Sequence, residues 1–181
     1  MFAIIAISAA LAAPAADITV EPGWVTHGEI TGVVDVPMEE VLGIVLDCEN
    51  ADRWFPDTVN TEVVYTETGK MRCAGETNLP WPFADRTWHI DVTGDVQTID
   101  GVESWVLPFA YVDGTGNVEV LEGRYLLQDA GNGRTKVTYQ ADVGLGFWIP
   151  EPLLNWGTRR ILPGILSGIE SQADRVMLAQ L

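Results

Sequence analysis

Residues 148–181 read WIPEPLLNWGTRRILPGILSGIESQADRVMLAQL, and this stretch decides the fold. At steps of three, four and seven, Leu154, Ile161, Leu162, Ile165, Leu166, Ile169, Ala173, Val176 and Met177 fall on one face of a helix. Asn155, Arg159, Arg160, Ser167, Glu170, Ser171, Asp174 and Arg175 fall on the other. Pro150 and Pro152 suit a helix start, because proline presets the first-turn backbone angle and lacks an N–H that would go unpaired there. Pro163-Gly164 interrupts the pattern. An interior proline removes a backbone hydrogen bond and kinks a helix, so the pair is either a static kink or a point of flexure. A helix this long and one-sided needs an apolar surface to cover.

The preceding chain supplies one, because most of it reads as strand. Residues 24–36 form a first strand with Ile30, Val34 and Val36 on one face, ended by Pro37. Residues 38–46 and 47–53 read as two short helices, the first with Glu39 and Glu40 in its first turn, where the helix dipole favours negative charge. Residues 59–66 and 70–78 make a hairpin around Glu67-Thr68-Gly69, with Thr61, Val63 and Tyr65 on one side of its first arm. The two prolines of residues 79–86, Leu-Pro-Trp-Pro-Phe-Ala-Asp-Arg, forbid regular pairing there. Residues 86–96 alternate most clearly, Trp88, Ile90 and Val92 against Thr87, His89, Asp91 and Thr93. Residues 102–111 follow, then 117–128, whose phase slips at Glu122-Gly123 as at a bulge. Asn132-Gly133 is a hairpin turn signal before the last strand, residues 135–143. The expectation is an α+β fold: a curved antiparallel sheet of about seven strands, dry on its concave face, with the C-terminal helix packed into it.

Ten Lys and Arg face 26 Asp and Glu, a formal charge of −16 that repels nucleic-acid backbones and anionic headgroups. Residues 1–16 are apolar and end in a small-residue Ala13-Pro14-Ala15 pattern, so a cleaved signal peptide, a single domain over 17–181 and a periplasmic or secreted location are expected. The segment lacks a Lys or Arg, and a disordered or buried N-terminal tail is the alternative. Cys48 and Cys73 either pair in an oxidising compartment or are two small buried hydrophobes.

Four stretches in order resemble bacterial START domains, lipid-binding modules of the helix-grip superfamily that includes Bet v 1 and polyketide cyclases. They are residues 35–54 (Asp35-Val36-Pro37 through Leu46-Asp47-Cys48-Glu49-Asn50 to Trp54), Pro80-Trp81-Pro82-Phe83-Ala84-Asp85-Arg86, Gly133-Arg134-Thr135-Lys136-Val137-Thr138-Tyr139, and Ile149-Pro150 with Leu153-Leu154-Asn155-Trp156. The resemblance covers roughly residues 25–175. It implies a tunnel for a lipid or similar hydrophobic molecule between the sheet and the C-terminal helix. It shows no clear counterpart of the buried charged pair kept by some sterol-carrying members, which counts against a sterol.

Catalytic chemistry finds little footing in the residues. A serine nucleophile needs a base, and His27 and His89 are the two histidines; His89 lies on the wet face of its strand. No metal-ligand spacing or phosphate-cradling glycine motif occurs, and no metal or cofactor is expected. Trp88, Trp105, Phe109, Tyr125 and Tyr139 are expected to line the concave face, with Leu162, Ile165 and Ile169 opposite on the helix. Arg86, on the same side as Trp88, either anchors a headgroup or pairs with Asp85 or Glu76. Trp81, Phe83, Phe147 and Trp148 form either an aromatic rim that touches membranes or a set of buried loop anchors. The expected working form is a monomer that binds a hydrophobic ligand. An enzyme of the same fold and a ligand-free interaction domain are the alternatives.

Overall fold

A computed structural model describes residues 16–67 and 69–179. The expected leader, residues 1–16, lies outside the described residues apart from Ala16. The elements are β1 Asp17–Glu21, β2 Thr26–Val34, α1 Met38–Leu46, a 3-10 helix Cys48–Arg53, β3 Thr58–Glu67, β4 Lys70–Thr77, β5 Arg86–Thr93, β6 Asp95–Ile99, β7 Val102–Tyr111, β8 Val120–Gly131, β9 Arg134–Gly144 and α2 Glu151–Ala179. All pairings are antiparallel, in the order β1-β2-β9-β8-β7-β5-β4-β3, and β6 pairs β7. Asp100-Gly101 and Asn132-Gly133 close two hairpins with positive φ at both turn residues, the backbone that matches the twist of paired strands. The sheet's inner face meets α2 in one core: Ile30, Val34, Leu107, Leu127 and Val137 are buried with Leu162, Ile165, Leu166, Ile169 and Ala173. This is the expected helix-grip arrangement.

The sheet has nine strands, not about seven, for two reasons. β1 lies between the expected leader and the first expected strand, and its five residues become a strand by pairing with β2. The single strand expected over 86–96 breaks at Gly94 into β5 and β6, which pair with successive halves of β7. The break falls opposite Pro108, which has no N–H to carry the ladder across. The expected bulge at Glu122-Gly123 is absent: both residues pair in register with Asp142 and Ala141. Gly123 is instead a close-approach residue, since a Cβ there would overlap the Gln140 carbonyl oxygen. Register shifts occur in β3 at Val59/Glu62 and Val63/Tyr65, so the alternation expected on that arm fails and Tyr65 is exposed.

α2 runs unbroken through Pro163, whose ring faces solvent. Its start is as expected, the Leu153 and Leu154 amides donating to the Pro150 carbonyl. Met177, placed on the apolar face by periodicity, is exposed, and Gln172 is buried instead. Gly164 and Gly168, one turn apart, let Trp54-Phe55-Pro56 lie against the helix. A Cβ on Gly168 would overlap the Trp54 carbonyl oxygen, and one on Gly164 would stand 2.7 Å from Pro56 Cγ.

The Cys48 and Cys73 sulfurs are in bonding contact, with Cα atoms 5.9 Å apart, within the span of a disulfide. The link ties the 3-10 helix to β4 across 25 residues of chain. Closing such a loop in the unfolded chain is worth roughly 3 kcal/mol. A C48A/C73A variant is therefore expected to unfold at a lower temperature than the oxidised protein by several degrees. Oxidised and reduced wild type melting together would show that the link contributes nothing.

Candidate ligand-binding cavity

The N-terminal part of α2 lies against β2, where Thr158 packs over Gly28, but leaves space before the rest of the sheet. A cavity of about 330 Å³ lies between Leu153–Leu162 and the inner faces of β5, β7, β8 and β9. That is at the small end of the range for small-molecule sites, ~300–1,000 Å³. Trp54, Phe55 and Pro56 wall one side, and Leu79, Pro80 and Phe83 with Leu145 and Ile149 wall another. The position follows from α2 itself. Its later turns carry Ile165, Leu166 and Ile169, all fully buried, and press onto the core, whereas Gly157 presents no side chain to the sheet.

Of the nine residues expected to contact a ligand, Arg86, Trp88, Phe109, Tyr125, Tyr139 and Leu162 line this cavity. Three do not, and the expectation is corrected for them. Ile165 and Ile169 lie one and two turns beyond Leu162, where helix and sheet are in direct contact. Trp105 lies four residues from Phe109 on β7, roughly 13 Å along the strand, and packs half-buried on the core. Sequence reasoning missed Trp54, Phe55, Ile90, Val92, Leu121 and Val143. Ile90 and Val92 share the phase of Trp88 and were recoverable from it. Trp54 and Phe55 come from a loop after a 3-10 helix, where no periodicity points inward.

Each polar group in the wall has its own setting. The Trp88 indole rests on Gly75, where no Cβ would fit, and its Nε1 donates to Thr77 Oγ1 at 3.0 Å. Arg86 pairs with neither Asp85 nor Glu76 through a carboxylate. Its Nε donates to the Leu145 carbonyl at 3.0 Å and its Nη1 to the Asp85 carbonyl at 3.3 Å. The guanidinium lies 4.5 Å from the centroid of Phe147, which stacks on Phe83 at 5.2 Å. Arg86 thereby ties the 79–86 loop to the 145–147 segment at the mouth. Deeper in, Tyr125 and Tyr139 are directly opposed across β8 and β9 with ring centroids 4.9 Å apart, and Phe109 stacks on Tyr139 at 6.0 Å. Burial pushes both phenols well above their ordinary range. The Trp54 indole nitrogen is enclosed without a hydrogen-bond partner among the described residues.

Among the described residues, the cavity lining contains no histidine and one carboxylate, Asp57. No cluster of three His, Cys, Asp or Glu able to hold a metal occurs among the described residues either. At the rim, Trp81 is 93% exposed and Trp148 72%, while Phe83 and Phe147 are half-buried against each other. The four aromatics therefore divide into two exposed rings and two anchors.

This architecture has relatives. A STAR-related lipid transfer protein from Xanthomonas axonopodis superposes with a TM-score of 0.73 at 18% identity, covering 90% of this chain and 94% of that one. The Zhui aromatase/cyclase from a Streptomyces species superposes with a TM-score of 0.62 at 19% identity, covering 82% and 93%. At those identities the likeness speaks for the fold. An uncharacterized protein of Pseudomonas aeruginosa is 26% identical over 151 residues, 80% of this chain and 74% of the relative. The sequence model of the polyketide cyclase/dehydrase and lipid transport family matches residues 34–170, most of the chain and every wall of the cavity except its N-terminal edge at Thr26 and Gly28. The chain therefore belongs to the polyketide cyclase/dehydrase and lipid transport family, and shares the fold of the lipid transfer and cyclase structures it superposes on.

Proposed function

We propose that this protein binds a lipid or comparable apolar small molecule in the cavity beneath the N-terminal half of α2, and carries it as a monomer. The supporting observation is the wall itself: aromatic and aliphatic side chains from helix, sheet and loops, with few polar groups. Apolar burial at roughly 25 cal/mol per Å² would supply the affinity, and the polar groups the orientation. Exchange would occur at a membrane through Trp81 and Trp148, whose amphipathic rings suit the headgroup layer. The charge of −16 favours zwitterionic over anionic lipid surfaces. A periplasmic or secreted setting fits the Cys48–Cys73 contact. A cyclase-type enzyme is the second reading, favoured by the two buried phenols in the wall, which can polarise a carbonyl. The scarcity of bases ranks it below binding.

Native mass spectrometry of the protein purified from its own host tests the proposal. A co-purifying apolar molecule of defined mass, released on activation, is expected. Empty protein that also takes up no fluorescent lipid would sink it, and turnover of an added poly-β-ketone would move the second reading ahead.

A further inference from the structure

Most polar groups in the cavity wall are already committed or stand near solvent. Thr77 accepts from Trp88, Arg86 is held by two carbonyls, and the Thr26 and Thr58 hydroxyls donate to backbone carbonyls. Asn78 and Arg160 are exposed. Tyr125 and Tyr139 differ. Both side chains are more than nine-tenths buried and both line the cavity. Neither hydroxyl has a hydrogen-bond partner among the described residues, yet neither is sealed off as the Trp54 indole nitrogen is. Two hydroxyls open to one space, with no protein group among the described residues taking their hydrogens, are an unused pair of donors in an otherwise apolar wall.

We infer that the Tyr125–Tyr139 pair is the polar recognition point of the cavity and donates to a neutral oxygen acceptor, a ketone, ester or alcohol oxygen, on an otherwise apolar ligand. The inference deepens the binding reading above and rests on it. The chemistry of the site selects the class. Two phenols on opposed residues of neighbouring strands can converge on one oxygen, which has two lone pairs to offer. Burial holds both phenols protonated, so they are donors across the physiological range. A carboxylate or phosphate bound there would be a buried charge with no countercharge, which is far more costly than a neutral acceptor. Of the cations that line the cavity, Arg86 is held by the Leu145 and Asp85 carbonyls and Arg160 is exposed.

The test uses three probes on one naphthalene frame: 2-ethylnaphthalene, 2-acetylnaphthalene, which exchanges a methylene for a carbonyl, and 2-naphthoate. Affinities are measured by calorimetry at neutral pH for wild type and for Y125F/Y139F, whose folding is checked by thermal unfolding. In wild type the ketone is expected to bind roughly tenfold more tightly than the hydrocarbon, the effect of one or two neutral hydrogen bonds, and more tightly than the carboxylate. In the double variant the ketone-to-hydrocarbon ratio is expected to collapse to about one. A ratio near one in wild type, or a ratio that survives in the variant, overturns the inference and leaves the cavity reading standing. Tightest binding by 2-naphthoate overturns it in favour of a cationic anchor. Binding of no probe at all overturns both.

Discussion

Gly168→Ala is expected to destabilise the protein by about 3 kcal/mol or more, the upper range for overpacking a closed site. The sign is the informative part. On an isolated helix, alanine for glycine gains about 1 kcal/mol, because glycine loses the most backbone entropy on ordering. Here the new methyl group would overlap the carbonyl oxygen of Trp54, a backbone atom that cannot swing aside. Relief requires α2 to lift from the Trp54–Pro56 segment, which carries two rings of the cavity wall. Gly157→Ala is the control on the same helix. No atom lies within 4 Å of its built Cβ, so the ordinary gain of up to about 1 kcal/mol is expected. Urea denaturation of both variants measures the contrast. If Gly168→Ala is as stable as Gly157→Ala, the close approach is not what holds this helix in place.

Gly157→Phe is expected to abolish ligand uptake while leaving the fold intact. Gly157 lines the cavity, on the face of α2 shared by Leu154 and Ile161, and space is open before it. A phenyl group there fills a large part of a 330 Å³ cavity without displacing the core. The affinity of 2-ethylnaphthalene should fall by tenfold or more, with the unfolding midpoint unchanged or raised by loss of a helical glycine. Ile165→Trp, the substitution that periodicity alone would suggest, is a poor probe. Ile165 is fully buried among core residues, and a larger side chain there would unfold the protein rather than block it. Undiminished uptake by a folded Gly157→Phe protein would place the ligand elsewhere.

Much of the frame was legible along the chain. α1 spans the expected residues, α2 starts where Pro150 and Pro152 place it, and the Asn132-Gly133 turn closes its hairpin. Those signals are local: a helical stripe, a period-two alternation or a positive-φ dipeptide needs only its neighbours. The failures were non-local. β1 exists by virtue of β2, and the β5–β6 break reflects Pro108 on another strand. Gly123 and Gly168 resemble a bulge and an idle helix glycine until the carbonyls of Gln140 and Trp54 are brought against them.

The candidate site divides the same way. Alternation named Trp88, Phe109, Tyr125 and Tyr139 as inward-facing, and they line the cavity. Alternation equally named Trp105, and the helical stripe named Ile165 and Ile169, which belong to the core. Facing inward is a property of one strand or helix, and the chain alone determined it, together with the α+β class, the closing helix and the family. Whether an inward side chain meets a neighbour or a void depends on the separation of two surfaces at that height. Only the tertiary structure decided that: α2 presses onto the core from Leu162 onward and, before that residue, touches the sheet at Gly28 of β2, so the empty space lies under its first turns, faced by two phenols with no partner among the described residues.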